Sequence, residues 1–446
     1  MNRIKTLLFI PALFSGFLLQ AQEKIAIGQK EVLERMQENN SQLRISQQEF
    51  LVARAQYRQT NAVFLPKITA SHTGFTTTNP LMAFGSKLNQ EIVTQSDFDP
   101  ARLNNPERIE NFATKVEVQQ PLINIDGFYQ RAAAKNKMEA SRLQSLRTGD
   151  HMTLETRKAY MQLQLAHKAV VVLEQALETA EANLRMAENN YKQGYLQRSD
   201  VLAVEVRVTE VNNRLQYARS NVRNASDYIM FLMGDCESMN VVLIPKDSLQ
   251  VQMNKNLDLN LSEDRADIQA MDLATQARKK MFQADKMTFL PRLNAFGSYE
   301  LYDDEIFTGD ASGYLAGVAL TWDLFDGSKR FGKTQQSKAE FKQAQLEYGQ
   351  YLQKSQLELN KARRDLQDAE NKLKLTKLAM EQSQEALRIR NNRYEQGLEK
   401  TTDLLGAETQ FSEKQLEYYQ TVYEYNYALE YLNFLASNGV NSEVIE

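Results

Sequence analysis

The sequence is poor in the residues from which compact, cross-linked or cofactor-bearing domains are built. Its 446 residues include one cysteine, eight prolines, 18 glycines, one tryptophan and three histidines. Cys236 alone cannot form an internal disulfide and reads as a small packing residue. His72, His151 and His167 stand in no metal-ligand spacing with acidic neighbours, and neither a phosphate loop nor a nucleophile elbow is present. An enzyme therefore has little support, and no metal or cofactor is expected. Past the N-terminal segment no apolar run reaches the ~18 residues of a helical membrane span, and mean hydropathy is negative. With 53 basic and 57 acidic residues the formal charge is −4. No basic patch with interleaved aromatics marks a nucleic-acid partner. Scarce proline and glycine leave room for long uninterrupted elements.

At the N-terminus Arg3 and Lys5 precede an apolar run, Leu7 to Leu19, that ends at Gln20, Ala21 and Gln22. That layout is a secretory signal peptide, too short for a comfortable span, so residues 1–22 are read as a cleaved leader.

The remainder is written twice. Phe64-Leu65-Pro66-Lys67 returns as Phe289-Leu290-Pro291-Arg292, Asp126-Gly127 as Asp326-Gly327, and Tyr191-Lys192-Gln193-Gly194 as Tyr394-Glu395-Gln396-Gly397. The order is kept, which defines a first repeat at 23–234, a linker at 235–261 and a second repeat at 262–446. The first half carries extra residues near 77 to 111, where Pro80, Pro100 and Pro106 predict an extended loop. Each repeat reads as helix, two strands, a very long helix and a further helix. Proline-free runs predict long helices at 128–193 and 329–396, followed by helices at 199–234 and 402–436. At 1.5 Å per residue, roughly 66 residues extend about 100 Å. Leu352, Leu359, Leu366, Leu373, Met380, Leu387 and Tyr394 recur every seven residues, as do Leu163, Val170, Leu177, Leu184 and Tyr191. A strict heptad holds one stripe against a partner helix with left-handed supercoiling. Taken alone, such ladders suit a two-stranded coiled coil or a spectrin-like bundle equally well.

The strands narrow the choice. Strands are expected around 64–76, 112–122, 291–302 and 313–325. Phe112, Thr114, Val116, Val118 and Leu122 alternate with Lys115, Glu117 and Gln119; Leu293, Ala295, Tyr299 and Leu301 alternate with Asn294, Ser298 and Glu300; Tyr314, Ala316, Val318, Leu320 and Trp322 form a third such face. Apolar-out, polar-in strands of about ten residues are what a bilayer-spanning barrel requires. The smallest such barrels have about eight strands, and an open edge in hydrocarbon leaves costly unpaired backbone groups. A chain with four strands must therefore borrow strands from copies of itself, and three copies supply twelve. The fold expected is mixed α and β: a long α-helical coiled-coil barrel continuous with a trimeric twelve-stranded transmembrane antiparallel β-barrel. A small soluble β-layer on a periplasmic coiled-coil adaptor or scaffold, without a pore, is the alternative.

The turns after the long helices are alike: Tyr191 to Leu202 and Tyr394 to Leu405 each carry an aspartate six residues beyond the glycine. Gly194 and Gly397 suit a left-handed helix end, Ser199 and Thr402 suit N-caps, and Asp200 and Asp403 complement the positive end of the next helix. With its leader, duplicated halves and paired turns, the chain resembles the TolC-like outer-membrane factor family over residues 23 to 440. The resemblance implies a homotrimeric duct that spans outer-membrane lipid and reaches into the periplasm, serving an inner-membrane pump through a periplasmic membrane-fusion adaptor. It places both turns at the resting constriction, where the adaptor docks. Asp403 matches the first acidic position of the family's bore ring; Gly406 stands at the second. Tyr394 and Asp200 match a resting-state link. The reinforcing arginine is replaced by Glu399, with Lys400 as the neighbouring cation. The 77 to 111 segment and Asp303-Asp304-Glu305 would then lie outside the cell. The exported substrate is not written in these residues.

Overall fold

A computed structural model describes residues 24–235, 241–252 and 260–436; the signal peptide and Cys236 lie outside them. In chain order the elements are β1 (Lys24–Ile27), α1 (Gln29–Asn39), α2 (Ser41–Gln59), β2 (Lys67–Thr77), α3 (Pro80–Asn89), α4 (Pro100–Asn104), β3 (Ile109–Ile123), α5 (Ile125–Lys192), α6 (Arg198–Leu232), β4 (Val242–Pro245), α7 (Ala266–Met287), β5 (Arg292–Asp303), β6 (Ala311–Thr321), α8 (Lys329–Glu395) and α9 (Thr401–Ala436). The fold is mostly helical with an antiparallel sheet. Two compact units share the chain: Met1–Ser41, Met152–Leu257 and Arg363–Tyr431 form one, and Gln42–His151, Asp258–Ala362 and Leu432–Glu446 the other.

The second unit holds the four-stranded sheet, in the order β2-β3-β5-β6, with every neighbouring pair antiparallel. Its register settles which side chains share a face. Across one row stand His72, Thr114, Leu301 and Ser312, across the next Ala70, Val116, Tyr299 and Tyr314, and across a third Ile68, Val118, Gly297 and Ala316. That face is apolar and open, with Ile68 66 % and Val318 65 % exposed. The opposite face carries Lys115, which sits 3.3 Å from Glu117 and 3.2 Å from Glu300; Tyr302 donates to Glu300. Phe75, Phe296 and Leu315 interrupt this polar face. Pro121, which lacks an N–H, sits at the one register shift in β3, where a missing ladder bond is tolerated. β2 and β6 have no outer partner in the sheet.

Several expectations shift. The 77 to 111 segment is not an extended loop: Pro80 and Pro100 open α3 and α4, and Asn79 and Asp99 accept from Met82 N–H at 3.2 Å and Ala101 N–H at 2.8 Å. Proline at a first helical position loses no intrahelical bond, so these prolines start helices. Gln90 pins the end of α3 to Glu110 O, Asn111 Oδ1 and Asp303 O at 2.8, 3.0 and 3.1 Å. The expected linker contains β4, which pairs in parallel with β1; four residues are too few to show periodicity. In the first half the deeply buried heptad below Leu163 is Leu173, Ala180 and Ala187, whereas Val170, Leu177 and Leu184 are half-buried and Tyr191 is exposed. Alanine at two of those positions lets the neighbouring helices approach closely but carries little hydrophobic signal in sequence. In α8 Leu359, Leu366 and Tyr394 of the expected ladder are buried, Leu352, Leu373, Met380 and Leu387 are half-buried, and Ser355, Ala362, Thr376 and Ser383 add a second buried row of small residues beside it.

The C-terminal end of α9 is held by paired charges in the second unit. Arg265, 2 % exposed, donates to Leu435 O at 2.9 Å, Ser355 Oγ at 2.8 Å and Asp267 Oδ1 at 2.6 Å. Arg147 donates to Phe434 O at 3.1 Å, lies over the Phe434 ring and approaches Asp267 Oδ2 at 3.3 Å, where Tyr351 also donates at 2.6 Å. The guanidinium groups thus meet the terminal carbonyls, where cations are favoured. Burial raises the pKa of Asp267, but the bonds from Arg265 and Tyr351 and the charge of Arg147 outweigh it and hold the carboxyl below its usual value. A depressed carboxylate adds stability above its unfolded pKa, and this is lost as pH falls through the folded value. Asp267→Ala leaves buried Arg265 without its carboxylate and Arg147 with Asp150 alone, at 3.7 Å, and should cost about 3 kcal/mol, read as a lower urea midpoint. Asp267→Asn should flatten the loss of stability that the native protein shows below about pH 4.

Candidate functional site

Both long helices end in one motif, in the first unit. Gly194 N–H donates to Tyr191 O and Tyr195 N–H to Asn190 O, each at 2.9 Å; Gly397 N–H donates to Tyr394 O and Leu398 N–H to Arg393 O, again at 2.9 Å. This paired pattern satisfies last-turn carbonyls and puts the glycine in the left-handed region. φ is +81° at Gly194 and +72° at Gly397. A Cβ at either would meet nothing within 4 Å, so the demand is torsional and not steric.

Ser199 and Thr402 are not the caps. α6 starts at Arg198 after Gln197, whose N–H donates to Asp200 Oδ2 at 3.1 Å. α9 starts at Thr401, with Asp403 N–H and Leu404 N–H donating to Lys400 O. An acid three residues beyond the cap captures the cap's own N–H, so α6 begins two residues early and Ser199 falls in its first turn. Thr402 likewise falls inside α9. Asp200 and Asp403 do lie in first turns.

Within the single chain Tyr394 and Asp200 each bond a neighbour on their own turn. Tyr394, 8 % exposed, places its hydroxyl 3.4 Å from Thr401 Oγ1, and among the described residues no hydrogen bond joins it to Asp200, which serves the cap. Glu399 occupies the place of the family's arginine and draws its cations from α8: Arg390 Nη1 at 2.6 Å and Arg393 Nε at 2.8 Å. Arg393 also donates to Leu398 O at 3.3 Å. The Lys400 side chain is exposed and, among the described residues, forms no ion pair with Glu399. The second turn is therefore pinned by two guanidinium groups across its neck. Tyr191, Tyr195 and Leu398 are exposed on the two turns, Tyr195 by 77 %.

Behind the turns α5, α6 and α9 meet in an apolar cluster of Ala187, Val201 and Val204, flanked by Leu184, Leu196 and Leu405. A polar group interrupts this seam: Asn183 Nδ2 donates to Glu408, and Arg207 lies nearby. All three are buried. Burial pushes the Glu408 carboxyl up to about 7, although the Arg207 charge and the Asn183 bond draw it down. Sequence reasoning missed this cluster and the arginine pair. The sequence signal is spacing: Glu408 follows Leu404 by four residues and Leu405 by three, which sets a carboxyl on the same face as two leucines. Among the described residues no group of three or more His, Cys, Asp or Glu could hold a metal ion, and no helix is long and apolar enough to cross a membrane.

Gly194→Ala and Gly397→Ala should each cost about 1–2 kcal/mol through torsional strain alone, read as faster amide exchange confined to the adjoining turn. Glu399→Gln should loosen only the second turn, by about 1 kcal/mol or less because both arginines are half-exposed.

No curated protein matches the chain by sequence. Solved structures do match in fold. The Campylobacter jejuni CmeC outer membrane channel is similar with a TM-score of 0.80 at 16 % identity, over 93 % of this chain and 86 % of that one. The outer membrane protein VceC of Vibrio cholerae is similar with a TM-score of 0.77 at 16 % identity, over 92 % and 96 %. The open state of the Neisseria gonorrhoeae MtrE outer membrane channel gives 0.70 at 18 %, over 90 % and 88 %. The family model for outer membrane efflux proteins matches residues 32–235 and 260–438. These residues are most of the chain and include the sheet and both turns: the protein belongs to the outer membrane efflux protein family, whose members are outer-membrane channels and not enzymes.

Proposed function

We propose that three copies of this chain form the passive exit duct of a tripartite exporter, continuous from the outer membrane into the periplasm. One observation carries this: a four-stranded sheet with an apolar open face, a charged opposite face and two unpartnered edges. Burial in protein would hide the apolar face, but only copies of the chain can satisfy both edges in hydrocarbon. The strand directions permit it. All internal pairs are antiparallel, so β2 and β6 run oppositely, and β6 of one copy meets β2 of the next in the same antiparallel sense. Twelve strands close with an even count. The long helices of α5 and α8, 68 and 67 residues, would line the duct beyond the membrane.

In this duct the turns at Gly194 and Gly397 form the periplasmic constriction and the adaptor's docking point. Tyr191, Tyr195 and Leu398 offer exposed apolar surface for that partner, which couples the duct to an inner-membrane pump. Asp403 lines the mouth, and with Gly406 three residues on, the acidic ring is thin. Opening is an iris-like movement of the turns, resisted by Tyr394–Thr401 and by the Arg390–Glu399–Arg393 fork.

Outer-membrane fractions should contain a species that runs as a trimer on unheated gels and as a monomer after boiling. A monomer released with the soluble periplasm would overturn the duct and favour the scaffold. In planar bilayers, Arg390→Ala with Arg393→Ala should raise the fraction of time spent open several-fold; an unchanged open fraction would remove the fork from the gate.

A further inference from the structure

Asn183, Arg207 and Glu408 are each 6 % exposed within the α5–α6–α9 seam, and the gate proposed above makes no use of them. Asn183 on α5 donates to Glu408 on α9. Arg207 on α6 makes no hydrogen bond through Nε or Nη1; Glu210 Oε2 lies 3.9 Å from Nη1, and no ion pair within 4 Å joins Arg207 to Glu408. The other charges that act on Arg207 are Arg214 on α6 and Glu413 on α9; facing Glu408 itself are Arg207 from α6 and the uncharged Asn183 from α5. A buried carboxyl and a buried guanidinium are thus neighbours without touching. An ionised carboxylate here has one donor, Asn183, and lacks the direct cation bond that buried charges require.

We propose that Glu408 and Arg207 form a proton-sensitive latch: protonated Glu408 keeps the α5–α6–α9 seam packed, and the ionised carboxylate favours a loosened seam in which it reaches Arg207 or water. Its link to duct opening rests on the gating proposed above; its chemistry does not. The burial that raises the carboxyl to about 7 disappears once the seam hydrates it. The packed seam therefore binds the proton more tightly. By linkage it is most favoured below the ordinary carboxylate value and loses that advantage as pH rises through about 7. Arg207 stays charged throughout and opposes the burial, so its removal moves the switch to higher pH.

The test uses the full chain in detergent, with amide exchange of residues 199–214 and 401–415 followed from pH 5.5 to 8.5 and corrected for intrinsic rate. Native protein should lose protection about tenfold or more across that range. Glu408→Gln should stay protected throughout, and Arg207→Gln should shift the midpoint upward. A Glu408→Gln profile that still follows the native one overturns the latch. Conductance recorded over the same range separates the two ideas. Channels that open independently of pH, with pH-flat exchange, remove the latch and keep the duct; pH-switched exchange without any conductance keeps the latch and removes the duct.

Discussion

An unpaired strand edge is the constraint from which the rest of this protein follows. Four strands present one apolar face and one charged face, and the outermost two end in rows of free backbone groups. Water can satisfy such rows and hydrocarbon cannot. In the proposed duct this would make the chain obligately social, because its sheet would be satisfied in lipid only as part of a larger ring. The helices carry a milder form of the same demand. Segments such as Leu346, Leu357 and Leu375 on α8 are exposed in one chain and await neighbours in the proposed assembly.

Long helices that pack by heptads can slip by a turn at little cost, so polar residues set into the stripes fix their register. Two such groups behave differently here. At the end of α9, Asp267 bonds Arg265 and Tyr351 and also pairs with Arg147. Such a site tolerates no sliding. Around Glu408 the bonds are incomplete, with two guanidinium nitrogens of Arg207 idle. A half-satisfied cluster stabilises one arrangement only weakly over another, which suits the latch proposed for this seam.

Much of this was legible in the chain itself. The landmarks at Phe64 and Phe289 and at Gly194 and Gly397 recur because both halves solve the same backbone problem, and alternation in β3, β5 and β6 is written at period two. What escaped has physical reasons. Pro80 and Pro100 read as breakers when taken singly and as helix starts when taken with the capping residues before them, Asn79 and Asp99. Ser199 and Thr402 lost the cap to positions two residues earlier, where Asp200 and the Lys400 carbonyl organise the turn. Glu399 itself is visible in sequence; that Arg390 and Arg393 meet it is not, since the chain reverses at Gly397 between them. β1 and β4 are too short to have a period, and they find each other only across the fold.

The central β3–β5 pair joins the two repeats within one chain. In the proposed ring this internal seam alternates with the seam between copies, so six hairpins close with only three encounters between separate molecules. Each covalent join replaces a bimolecular collision by a tethered one, with an effective concentration on the order of millimolar. In the proposed ring, carrying two hairpins on one chain would thus halve the number of seams that separate molecules must find. It also frees the halves to diverge: α3 and α4 decorate one hairpin of each pair, which would leave the outer rim with three crests and three gaps.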